Sequence, residues 1–125
     1  HPGMDHEQVG QFLDKGFEQA GIDGFQRTLH FYMPGGEIPQ DDRFVKLCLE
    51  ERERQFGIKS DPQPFDASCE QCFLAREGIQ TVICGPGDIA QAHTVGEFTW
   101  EKQVRDAVSL YERIIDRVLY KTNYI

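Results

Sequence analysis

Residues 79–98 read Ile-Gln-Thr-Val-Ile-Cys-Gly-Pro-Gly-Asp-Ile-Ala-Gln-Ala-His-Thr-Val-Gly-Glu-Phe, and their order decides how the rest of the chain is understood. Ile79–Cys84 is short, β-branched and almost continuously apolar, the pattern of a buried strand. It delivers Gly85-Pro86-Gly87 at its C-terminal end, where open α/β sheets place their ligands. Gly85 and Gly87 let the backbone approach a bound group closely and aim N–H donors at a carboxylate or carbonyl oxygen. His93 presents an imidazole nearby, and Glu97 follows four residues later. A strand entering a Gly-Pro-Gly turn is common, and a single histidine is more often structural than a ligand, so the pattern alone names no chemistry.

Working outward, the C-terminal side predicts a long helix from about Thr99 to Tyr120. Trp100, Val104, Ala107, Tyr111, Ile114 and Val118 recur there at steps of three and four, a face suited to one side of a sheet. On the N-terminal side, Cys69–Arg76 predicts a short helix ending at Gly78, and Asp61-Pro62-Gln63-Pro64 interrupts regular structure before it. Asp41 or Asp42 caps a second helix with an apolar face of Val45, Cys48, Leu49 and Phe56. Glu50, Glu51, Arg52, Glu53 and Arg54 form a charged outer face, stopped by Gly57. Pro34 to Gln40 is a linker or crossover. Phe25–Met33 alternates as a strand, and Asp5 with Gln8 caps a first helix running through Val9, Phe12, Leu13, Phe17 and Ala20 to Gly21.

Composition bounds the function classes. The chain has 125 residues, enough for an ordinary domain core, and a net charge of -8, which repels phosphate backbones and anionic membranes. Neither nucleic acid nor a membrane is an expected partner. No apolar run is long enough to span a bilayer and the start has no signal-peptide pattern, so a soluble cytoplasmic protein is expected. Cys48, Cys69, Cys72 and Cys84 lie among apolar helix and strand positions, which favours buried free thiols over disulfides. The chain starts at His1 rather than methionine, and a piece of a longer protein is expected.

The segment resembles a signature of the metal-dependent aminoacylase and carboxypeptidase family that includes acetylornithine deacetylase and succinyl-diaminopimelate desuccinylase. There, a strand ending in Gly-Pro-Gly is followed by Ala-His-Thr-x-x-Glu. The matching residues are Gly78-Ile79, Thr81-Val82, Cys84 to Ile89, Gln91 to Thr94 and Glu97-Phe98, with Glu70 upstream. The likeness is strong from Cys69 to Gln103 and looser elsewhere.

The resemblance implies an α/β fold, the C-terminal part of a zinc-hydrolase catalytic domain over residues 37–125, preceded by part of an α+β lid or dimerisation domain over residues 1–36. It implies that His93 ligates one zinc of a dinuclear centre. Gly85, Pro86 and Gly87 would line the substrate pocket and orient the carboxylate end of an N-acyl amino acid, with Glu70 and Glu97 beside the ligand or the pocket. The parent would polarise an amide carbonyl on zinc, activate water with a glutamate base, and release a carboxylate and an amine. The family's His-x-Asp motif, bridging aspartate and glutamate pair have no counterpart in the sequence. This chain is therefore expected to hold no catalytic base, to bind metal incompletely, and to be inactive alone. Many relatives carry Asp where this chain has Gly96, which removes one carboxylate from the surroundings of His93.

Two other readings compete. Cys69-x-x-Cys72, completed by Cys84 and His93, could form a small structural zinc module, although a second chelating pair is absent. Residues His1 to Met33 resemble half of the lid domain through which relatives pair, so an edge strand at Thr28–Phe31 could make the chain an oligomerisation module or homodimer. His1, His6 and His30 are read as surface or structural residues.

Overall fold

The structure, a computed structural model, describes residues 3–120. Four α-helices occur there: α1 (His6–Gln19), α2 (Arg43–Phe56), α3 (Gln71–Arg76) and α4 (Glu101–Leu119), with a single 3₁₀ turn at Ile89–Gln91. None is long and apolar enough to cross a membrane. The chain divides into two compact units, His1–Ile38 with Asp66–Thr81, and Pro39–Phe65 with Val82–Ile125.

In the first unit, α1 begins as its sequence requires. The Asp5 carboxylate accepts from the Gln8 N–H at 2.8 Å and the Gln8 side chain accepts from the Asp5 N–H at 2.9 Å, a reciprocal box that satisfies two orphan donors. Gly21, at φ 69°, ends it. Residues 25–33 then run along this helix and α3 through side chains. Phe17 and Phe25 stack with centroids 4.6 Å apart, Phe31 meets Phe73 at 6.3 Å, and the Tyr32 hydroxyl donates to the Met4 carbonyl. Arg27 forms two 3.0 Å bonds to Asp14, which hold that carboxyl below its ordinary range. The guanidinium lies over Gly10, so close that a Cβ there would collide with it. Cys72 is buried on α3, and its thiol donates to the Cys69 carbonyl at 3.2 Å.

In the second unit, α2 packs against α4, and Val45, Leu47, Ala107 and Leu110 are its buried apolar residues. Asp42, of the two cap candidates, accepts from the Phe44 N–H at 2.7 Å, and Gly57 closes α2 in the left-handed region at φ 68°. Across the helix pair, Gln55 Nε2 donates to the Asp106 carbonyl at 2.7 Å. Arg117 of α4 reaches Glu50 at 2.8 Å and Glu51 at 2.9 Å, and Arg54 meets Glu51 at 2.6 Å. Gln103 starts α4 by accepting from the Trp100 N–H at 3.2 Å.

The α/β class expected from the sequence does not hold, because no strand occurs among the described residues. Both predicted strands, Phe25–Met33 and Ile79–Cys84, are irregular backbone without a ladder partner. The polar groups that a ladder would pair are taken locally instead. Ile79 donates to the Leu74 carbonyl at 3.0 Å, and the Thr81 hydroxyl donates to the Ile79 carbonyl at 2.9 Å. Gln71 reaches the Thr81 carbonyl at 3.5 Å, and the Tyr111 hydroxyl donates to the Cys84 carbonyl at 2.7 Å. An apolar β-branched run specifies a strand only when another strand lies beside it, and the helices here supply side chains rather than an edge. Accordingly Ile79 and Ile83 are about half exposed rather than buried.

The charged face assigned to α2 also needs correction. Glu51 is 3% exposed, against the fully solvated run that the sequence predicts. Glu51 follows Leu47 by one helical turn, which puts it on the packed face, where Arg54 and Arg117 neutralise it.

Candidate functional site

Within the second unit a cavity of about 320 Å³ opens beside the helix pair. Gly85, Pro86 and Gly87 line one wall, after Cys84. α2 and the turn after it contribute Arg52, Phe56 and Ile58, while Gln103, Asp106, Ala107, Leu110 and Tyr111 come from α4. Its size suits a small ligand, and its walls combine apolar surface with a few polar groups, the usual composition of such sites.

Local chemistry fixes the glycine wall. The Tyr111 hydroxyl holds the Cys84 carbonyl, which anchors the entrance to the loop. Gly87 sits at φ 97°, a conformation that side-chain-bearing residues rarely adopt, with the Thr99 side chain close behind it. Among the described residues, no backbone carbonyl accepts from the Gly85 or Gly87 N–H.

The electrostatics of this wall are set by burial and by Arg52. Burial raises the Cys84 thiol above its ordinary value and the Arg52 charge works against that rise, although the residue as a whole remains exposed. Burial also raises Tyr111, with Cys84 adding to the effect. Burial pushes Cys48 up to about 11, again with a smaller contribution from Cys84. Burial thus favours the protonated form of both thiols.

This carries a measurable consequence for Cys48. Its thiol stays protonated in the folded chain while an unfolded thiol ionises near its ordinary 9.0. The resulting stability is complete below that value and is lost as pH rises through about 11. Urea midpoints should fall across this alkaline window more steeply for the wild type than for Cys48→Ala. Alkylation with iodoacetamide near neutral pH should modify Cys48 far more slowly than the same thiol in urea.

The other sequence-predicted site residues do not meet in this cavity. His93 is the one non-glycine residue among those described with a positive φ, 62°, and its N–H donates to Glu97 Oε2 at 3.0 Å. Glu97 thus closes the turn that begins at His93. Gly96 in that turn has φ 86°, a backbone conformation that would strain an aspartate. Glu70 stands just ahead of α3, in the first unit, and accepts from the Phe73 N–H through its carbonyl at 3.0 Å.

No three His, Cys, Asp or Glu side chains among the described residues gather in an arrangement that could hold a metal. Of the proposed zinc module, Cys69 and Cys72 belong to the first unit and Cys84 and His93 to the second, and one imidazole by itself is too few ligands for a zinc site.

The model of peptidase family M20/M25/M40 matches residues 13–117, most of the chain. The chain belongs to that family. No curated protein and no solved structure matched it. M20/M25/M40 peptidases are generally metal-dependent hydrolases, which supports a peptidase or hydrolase parentage for this member. The matched span includes the glycine wall, His93 and nearly all of α4.

Sequence reasoning missed the partners that this M20/M25/M40 member places around the glycine loop. Arg52 was grouped with the solvated charges of α2, yet it follows Cys48 by one turn and Val45 by two, so it prolongs the inward edge of that helix. Tyr111 lies on the apolar spacing of α4, and its hydroxyl reaches the loop. Asp106, joined to Lys102 at 2.6 Å, carried no sequence signal.

Proposed function

We propose that this chain is part of a cytoplasmic, metal-dependent hydrolase that cleaves N-acyl amino acids, of the acetylornithine deacetylase type, and that its own contribution is the seat for the substrate's carboxylate. The observation that carries this reading is the cavity in which Gly85-Pro86-Gly87 and Arg52 face one space. A carboxylate there accepts from the glycine N–H groups and pairs with the guanidinium, an interaction suited to a planar anion in a partly desolvated pocket. Phe56, Ile58 and Leu110 supply apolar surface for the remainder of a small ligand. Asp106 on the same wall disfavours a second carboxylate, so a monocarboxylate fits better than a diacid.

The described residues do not assemble a metal site, and no bond-breaking step is assigned to them. Family membership supports the metal-dependent reaction of the whole enzyme, with His93 as the residue at the signature's ligand position.

Isothermal titration of the chain with an N-acetyl amino acid tests the proposal. Saturable binding is expected, with affinity reduced at least about tenfold when the ligand's carboxylate is replaced by a neutral amide or when Arg52 is changed to Met. Equal affinity for the acid and the amide would remove the carboxylate seat.

A further inference from the structure

Gln103 is the third residue of α4, and its carboxamide is held from one end only. Its Oε1 accepts from the Trp100 N–H at 3.2 Å and from the Thr99 hydroxyl at 3.1 Å. A backbone N–H can only donate, so the oxygen end of the carboxamide faces the start of the helix and the NH2 end faces away from it. That NH2 donates to no other group among the described residues. Gln103 also lines the cavity that holds Arg52 and the glycine wall. It is exposed whereas Arg52 is half-buried, which sets Gln103 toward the open side. Thr99, its hydroxyl donor, lies behind Gly87, so one side chain ties the carboxamide to the glycine wall.

We infer that Gln103 determines specificity in this cavity by donating from its NH2 to the acyl carbonyl oxygen of an N-acyl amino acid, an inference that rests on the carboxylate seat proposed above. In such a ligand the acylated nitrogen sits on the carbon that carries the carboxylate. A carboxylate held at Arg52 therefore leaves the acyl oxygen as the nearby acceptor still to be met, and Gln103 offers it a neutral donor. An unacylated amino acid presents an ammonium group instead, which can only donate and finds no acceptor at the NH2. Asp106, the carboxylate on the same wall, is already paired with Lys102 at 2.6 Å. The cavity thus favours the acylated ligand by the difference between a completed hydrogen bond and an unmatched donor.

Gln103→Glu separates this role from the structural one. A carboxylate at the third helical position accepts from the cap N–H as the carboxamide does and is favoured by the helix dipole, so thermal unfolding should occur at or above the wild-type temperature. What the variant loses is the donor. By isothermal titration the wild type should bind an N-acetyl amino acid at least about fivefold more tightly than the same amino acid unacylated. That ratio should fall at least about tenfold in Gln103→Glu, where the new carboxylate repels the acyl oxygen and attracts the ammonium group. A ratio unchanged by the substitution, in a chain that still prefers the acid to its neutral amide, overturns the inference and leaves the carboxylate seat standing. So does a wild type that holds the unacylated amino acid as tightly as its N-acetyl derivative, which would set Asp106 rather than Gln103 opposite that group. Equal affinity for the acid and its amide, or binding of neither, removes the seat and this inference with it.

Discussion

Leu110→Ala is expected to lower the unfolding free energy by about 3 kcal/mol, and urea denaturation followed by circular dichroism measures it. Leu110 is 4% exposed in α4 and belongs to the buried set that joins this helix to α2. Truncation removes the transfer free energy of the side chain and leaves a cavity that two helices fill only partly. The loss is large against the total, because folded domains are stable by only about 5–15 kcal/mol. Few other apolar residues could offset it: Val45, Leu47, Cys72 and Ala107 are the remaining buried hydrophobics among the described residues. Leu110 also lines the cavity, so ligand affinity should fall together with stability. Val108→Ala, two residues away and half exposed, should change stability by much less.

Arg117→Ala is expected to cost a comparable amount, about 3 kcal/mol, for an electrostatic reason. Glu51 has a side chain 4% exposed, and Arg117 and Arg54 are its partners, at 2.9 Å and 2.6 Å. Removing Arg117 leaves a buried carboxylate facing the half-exposed Arg54 alone, and also frees Glu50 beside it. Glu51 then keeps Arg54, and Glu50 loses its guanidinium partner. Replacing Glu51 and Arg117 together with apolar residues of similar size should cost less than Arg117→Ala, because the buried carboxylate is removed along with its partner. A double-mutant cycle over Glu51 and Arg117 would show a coupling of roughly 1 kcal/mol or more, and coupling near zero would mean that the pair does not bridge the helices in solution.

The helices were legible in the sequence because their signals are local. The Asp5 and Gln8 box, the Asp42 cap and the glycine stops at Gly21 and Gly57 act within a few residues of themselves, and the structure uses each of them. The strands were not legible in this sense. Ile79–Cys84 has the composition of a buried strand, but pairing is a property of two segments, and the carbonyls at Ile79, Thr81 and Cys84 find side-chain donors. The same distinction holds at the site. That Gly85-Pro86-Gly87 faces a cavity follows from local backbone freedom and was foreseeable. That Arg52 faces the same cavity depends on the rotation of α2 against α4, which a run of five charged residues conceals. Helical phase from Val45 through Cys48 was the signal that could have separated Arg52 and Glu51 from Glu53 and Arg54.

The glycine wall and His93 lie in different surroundings within the second unit. The glycine loop borders a space with a cation in it, whereas His93 is engaged through its backbone with Glu97 in a tight turn. The proposed carboxylate seat is tested most directly by the location of a bound ligand. In an isotope-labelled sample with an N-acetyl amino acid, intermolecular nuclear Overhauser contacts should join the ligand to the Gly85 and Gly87 amides and to the Tyr111 ring. Contacts confined to residues outside the cavity, with the Gly85 and Gly87 amides unshifted at saturation, would contradict the account.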